Sequence, residues 1–172
     1  MEIYCEYDKN EEEFVFFVDE EDIYFLVSEF VKESPKFKGM VKLVIRNFEN
    51  VKDECESLFP RFSAKLKKKG DLYFGIFGID ELSKEFIDWL VNSLSVTHEL
   101  EEVYMVPVSS KKPDIYVYFG QEAEAYIYYK DKVDKEHIRK ICEKMVKRFG
   151  GSAEFVDDSS NTIGYKKDIA IP

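Results

Sequence analysis

Asp114, Glu124 and Lys130 come nearest, by type and spacing, to residues that could run a reaction in this chain. They bracket one stretch, DIYVYFGQEAEAYIYYK. Carboxylate oxygens are the ligands a hard divalent cation takes, and a bound metal can turn water into a nucleophile at neutral pH. The same stretch carries Tyr116, Tyr118, Tyr126 and Tyr128. Those rings could stack nucleic-acid bases, form a subunit interface, or sit half-buried under a helix with their hydroxyls at its edge. Burial under a helix is the first expectation, an interface the second and base stacking the third.

Other reactive side chains fall into no set. His98 lies in a link and His137 in the first turn of a helix, neither with a Cys or second His at ligand spacing. Cys5, Cys55 and Cys142 are far apart, odd in number, and each at an apolar position, so they are read as reduced core thiols of an intracellular, cytoplasmic protein. There is no Gly-x-Ser-x-Gly, no P-loop and no Gly-x-Gly-x-x-Gly. The turn Ile79-Asp80-Glu81 could receive an anion, but its own carboxylates oppose that. No cofactor and no metal is expected.

Composition narrows the partners. The chain has 172 residues, 45% of them hydrophobic, and a net charge of −10. That charge argues against general nucleic-acid coating, which needs cations to displace counterions from phosphates. It should keep the chain soluble and away from anionic membranes. No apolar run approaches the ~20 residues of a membrane span, and the first ten residues look strand-like and acidic, unlike a signal peptide. Lysines and arginines gather at Lys65 to Lys69, at Lys111-Lys112, and on the face of Arg139, Lys140, Lys144, Lys147 and Arg148. Solvated helix ends account for them, with an acidic partner or RNA as the alternative. One Gln, five Asn and two Thr stand against many Lys and Glu, the composition of a heat-adapted organism.

The elements that must position these residues follow from periodicity. Glu2 to Tyr7 and Phe14 to Val18 read as a hairpin. Asp19 is a candidate N-cap, with Val18 and Ile23 as a hydrophobic staple, for a helix faced by Leu26, Val27, Phe30 and Val31. Met40 to Ile45 is a strand. A helical stripe from Phe48 to Leu66 should kink or break at Pro60 and end at Gly70 as its C-cap. Leu72 to Ile79 is nearly continuous in apolar residues, as in a central strand covered on both faces. Asp80 should cap the next helix, with Trp89 near its buried stripe. Val103 to Val106 is a strand, followed by the tyrosine hairpin. A helix capped by Asp134, a strand over Ala153 to Val156, a polar loop over Asp157 to Asn161 and an edge strand over Ile163 to Ile171 close the chain.

The order ββαβαβαβββαβ(β) makes an α+β fold with helices packed on a mixed sheet. It is one domain over 1–172, or two packed halves, 1–70 and 71–172. A ββαβ duplication is also legible. Val18-Asp19, Ile23, Leu26-Val27 and Phe30-Val31 match Val133-Asp134, Ile138, Ile141-Cys142 and Met145-Val146 at one constant offset, although any capped amphipathic helix after a hairpin shows this pattern. In the hairpin, a loop over Gly120-Gln121-Glu122 would set Tyr116 opposite Tyr126 and Asp114 opposite Tyr128, with all four tyrosines on one side.

From Asp80 to Val156 the elements run αβββαβ, with Pro113-Asp114 opening one strand and Lys130 ending the next. This resembles the core of the PD-(D/E)xK nuclease superfamily. The resemblance implies a metal held by Asp114 and by an acid two residues before Lys130, and action on nucleic acid. That second position holds Tyr128, and a phenol is a poor ligand for Mg²⁺. Glu124 lies on the same face but about 20 Å along the strand from Lys130. With no complete catalytic set, the chain reads first as a non-enzymatic binding or assembly protein that associates with itself or with a protein partner. A degenerate nuclease-like protein is the alternative.

Overall fold

The computed structural model describes residues 3–8, 13–109, 115–121, 124–129 and 132–156. Their order is β1 (Ile3–Asp8), β2 (Glu13–Phe17), α1 (Ile23–Glu33), β3 (Met40–Arg46), α2 (Lys52–Leu58), α3 (Pro60–Ser63), β4 (Lys67–Lys69), β5 (Leu72–Gly78), α4 (Lys84–Ser95), β6 (Glu102–Val106), β7 (Ile115–Phe119), β8 (Glu124–Tyr129), α5 (Lys132–Phe149) and β9 (Ala153–Val156). The fold is α+β. The described strands form one sheet in the order β4-β5-β3-β6-β7-β8-β2-β1-β9. Its ladders are antiparallel except β1 with β9, which is parallel. Strands from residues 1–70 and from 71–172 are interleaved: β3 pairs with β6, and β2 with β8. Asp157 to Asn161 and Ile163 to Ile171 lie outside the described residues.

The helices share one face of the sheet. Ile23, Leu26, Phe30, Phe86, Leu90, Ile138 and Ile141 pack with Leu43, Ile45, Phe77, Val103, Met105, Ile115, Val117 and Phe119 in one buried cluster. The strand residues in it alternate, as the two-residue period of a pleated strand requires. The alternate positions, Val44, Leu72, Tyr104, Val106 and Tyr116, form a second cluster to which no described helix contributes.

Several local expectations change. Proline at the first position of α3 does break the stripe, and Phe59 between α2 and α3 leaves helical geometry. Lys67 to Lys69, however, form an edge strand, with Gly70 at φ 64° in the turn to β5. A short lysine-rich strand is a common way to end a sheet without inviting another strand, so Gly70 serves a hairpin and not a helix. The apolar run Leu72 to Ile79 is consequently next to an edge, and Ile76 is 43% exposed. β6 is buried at every position. Gly75 has a separate reason: a Cβ there would meet the Phe77 ring at 2.9 Å and the Lys65 carbonyl at 3.0 Å.

Caps shift as well. Asp19 precedes a single 3-10 turn, Glu20–Asp22, and makes no side-chain cap; α1 then starts at Ile23. Val18 and Ile23 are both buried, as a staple requires. The N-cap of α4 is Ser83, whose Oγ accepts from the Phe86 N–H at 3.1 Å, and not Asp80, which pairs with Lys32 across solvent. Leu82 before that cap and Ile87 four positions into the helix are both buried, so the staple selects Ser83. Asp134 falls inside α5, which begins at Lys132.

The two ββαβ units sit as a twofold relation would place them at the centre, where β2 and β8 pair antiparallel. On the flanks the relation is imperfect. β9 lies beside β1, whereas β6 stands between β3 and β7. Helices α1 and α5 meet across the join: Arg148 pairs with the buried Glu29, Lys144 pairs with Glu33, and His137 Nε2 lies 2.6 Å from the Glu33 carbonyl. His137 therefore binds the end of the other unit's helix. The Lys144 ammonium holds the Glu33 carboxyl below its ordinary range.

Candidate functional site

The tyrosine hairpin keeps its faces but not its register. Tyr116 pairs with Tyr128 and Tyr118 with Tyr126, two residues away from the expected alignment. The turn is correspondingly longer, since Phe119 pairs with Ala125. A slip of two leaves every side of a strand unchanged, so the hydrophobic pattern could not distinguish the alternatives. Asp114 and Lys130 lie outside the described residues. Glu124 opens β8, opposite Phe17 of β2. The described residues thus bring together no part of the nuclease-like constellation.

Tyr116 and Tyr118 belong to the sheet face away from the helices, so burial under a described helix is not their situation. Tyr116 is buried and Tyr118 half-buried, each against Tyr104 of β6 at 5.9 and 5.0 Å between ring centroids. Burial, and then the neighbouring Glu102 carboxylate, push the Tyr104 phenol far above its ordinary range. Glu102 is buried too, and its Oε2 accepts from Arg46 Nε at 3.0 Å; Arg46 also pairs with Asp71. The centre of this face is a closed aromatic and ionic layer. Its two ends are open: Met40 and Ile76 are exposed at one, and Tyr4 and Phe17, with rings 5.6 Å apart, at the other.

A second polar group was not foreseen. An open cleft of about 330 Å³ lies between the end of β3 and the β4–β5 turn, lined by Asn47, Glu49, Asn50, Lys68, Asp71 and Tyr73 among others. Asn47 is left-handed at φ 63°, and that turn carries Glu49 back over the sheet. Tyr73 Oη donates to Glu49, and Lys68 Nζ donates to the same carboxylate at 2.8 Å. Asn50 Nδ2 donates to the Glu99 carbonyl at 2.9 Å. The Gly70-Asp71 pair was the available signal, because such a dipeptide between strands marks a hairpin. Read as a helix end, it hid the cleft.

The cleft's chemistry is self-contained. Lys68, and then the Tyr73 hydroxyl, hold the Glu49 carboxyl below its ordinary range. The hydrogen bond to Glu49, aided by burial, pushes the Tyr73 phenol up from 10.0 to about 12. At neutral pH the phenol is a donor and not a base. The unfolded chain ionises this tyrosine near its ordinary value, before the folded chain does. Tyr73 therefore stabilises in full below about pH 10, and that contribution drains away between pH 10 and 12. Tyr73→Phe should show a shallower alkaline loss of stability than wild type in denaturant titrations across that window. Equal slopes would show the phenol to be unperturbed.

The remaining candidates are placed plainly. Cys55 and Cys142 are buried free thiols; burial pushes the first up to about 11 and raises the second as well. His98 is exposed. At the Ile79-Asp80-Glu81 turn, Glu81 itself accepts from the Gly78 N–H at 2.9 Å and from Lys65 at 3.1 Å, filling the position an anion would take. Among the described residues no group of three or more His, Cys, Asp or Glu could hold a metal, and no helix is long and apolar enough to cross a membrane. Comparison with known proteins finds no matching family model, no significantly similar curated protein and no significantly similar solved structure.

Proposed function

We propose that this chain is a non-enzymatic binding and assembly protein that works in the cytoplasm and associates with itself through the helix-free face of its sheet. One observation carries the reading: the aromatic pair Tyr4 and Phe17 is 38% and 40% exposed on a sheet face that no described helix covers. Soluble monomers seldom leave aromatic surface of this kind in contiguous patches. Along the ladder Phe17 stands opposite Glu124 and Val15 opposite Tyr126, which itself stands opposite the half-buried Tyr118. A net charge of −10 does not forbid such contact, because charge is depleted at interface centres.

Light scattering at high micromolar concentration tests it. Wild type should be a dimer, and Phe17→Glu a folded monomer with an unchanged circular dichroism spectrum. A monomeric wild type, or a dimer indifferent to Phe17→Glu and to Tyr118→Glu, would overturn the reading.

A further inference from the structure

We infer that the β4–β5–β3 corner of the helix-free face docks an acidic amphipathic helix of a partner protein. The inference rests on the binding reading above and adds to it a place and a class of partner. The ladder sets Lys67 opposite Phe74 and Lys69 opposite Leu72, so both lysines stand on the face away from the chain's own helices. Both are exposed, and among the described residues neither has an ion-pair partner. Lys68, between them, points the other way and is taken by Glu49.

Inward of the two lysines lie the half-buried Phe74 and the exposed Ile76 and Met40, at 43% and 40%. Among the described residues, Asp71 and Glu102 are held by Arg46, and Glu81, which lies near Met40 at Gly78, is held by Lys65. The corner therefore combines two uncompensated cations with a floor of Phe74, Ile76 and Met40, on which the half-buried Lys42 stands opposite Ile76. The molecule around it has ten more acids than bases. Sheets commonly cover such a face with a helix whose apolar stripe lies on it. A helix with leucines inward and glutamates at its border meets the floor and the lysines together. Nucleic acid fits less well, because Phe74 is half-buried and offers no free ring for a base to stack on.

Fluorescence anisotropy decides the matter with three labelled probes. The first is a peptide of about five helical turns with leucines on one face and glutamates elsewhere. The second is the same peptide with lysines for glutamates, and the third is an oligouridine. The acidic peptide should bind the full-length protein in the micromolar range. Lys67→Glu with Lys69→Glu should weaken it at least tenfold and raise affinity for the basic peptide, and Ile76→Asp should weaken both. All three positions are exposed, so thermal melts should show intact folding. Acidic-peptide binding that is absent below millimolar, or unchanged by the charge reversal, overturns the inference. Tighter binding of oligouridine also overturns it and makes the corner a nucleic-acid surface. Light scattering on the same samples separates the two proposals: a dimer that ignores the peptide sinks only this one, and a monomer that binds it sinks only self-association.

Discussion

Replacing Phe86 with alanine should cost about 3–5 kcal/mol, the range for truncating a fully buried phenylalanine. The ring is completely buried on α4. It stacks on Phe62 at 4.5 Å with an interplanar angle of 13°, meets Phe59 edge-on at 5.3 Å, and stacks on Trp89 at 6.1 Å. These rings hold the broken α2–α3 segment onto α4. Removing the central one takes away its transfer free energy and leaves a void that three neighbours, each fixed by other contacts, cannot fill. A domain holds only about 5–15 kcal/mol in total, so the variant should show a much lower guanidinium midpoint with an unchanged slope. A loss under about 1 kcal/mol would mean that the segment collapses onto the gap. Trp89 should matter less. It is half-buried, beside the buried stripe, and its indole N–H donates to Glu54 at 2.6 Å.

This aromatic cluster shows where the sequence was informative. Phe86, Leu90 and Leu94 stand one helical turn apart on α4, and all are buried. Pro60 had to break the preceding helix because it lacks an N–H and clashes with the turn before it, and the break occurs there. Two-residue alternation also separated the two faces of β7: Ile115, Val117 and Phe119 join the helix-side cluster, and Tyr116 and Tyr118 the other. These are local properties, fixed within one turn or one strand.

What was missed is non-local. A continuous apolar run such as Leu72 to Ile79 shows that a strand is apolar on both sides, but not what lies next to it. Only β4 and β3, on its two sides, make β5 a penultimate strand with an exposed Ile76. Asp80 and Ser83 were competing caps three residues apart, and the burial of Leu82 and Ile87 decides between them. The cleft at Glu49, Lys68 and Tyr73 joins residues 24 apart in the chain, and no periodicity reports such a meeting. The ion pair of Arg46 and Glu102 is similar: each reads alone as a charge just beyond the end of an apolar strand, and only the β3–β6 ladder sets them opposite each other.

That pair supports the second large effect. Arg46→Leu should destabilise the protein by about 2–3 kcal/mol. Breaking a buried ion pair from one side costs roughly 3–5 kcal/mol because the other charge loses its counter-ion; Arg46 keeps 35% of its side chain exposed, so solvent screening brings the cost below that range. The partner left behind is Glu102, whose side chain is only 11% exposed and which lies beside the buried Tyr104. Glu102→Leu alone should cost less, since Arg46 can still reach Asp71 and solvent. The double variant, Arg46→Leu with Glu102→Leu, should recover most of the loss, because paired removal leaves neither charge without its counter-ion and puts apolar surface on a face that already holds Val44 and Val106. Denaturation of the four proteins gives the coupling directly. A coupling of about 1–3 kcal/mol would establish that the ions stabilise each other within the sheet. If instead the single losses simply add, the carboxylate must be satisfied by other groups on that face, and Arg46 acts only through its packing against Leu72 and its neighbours on the sheet.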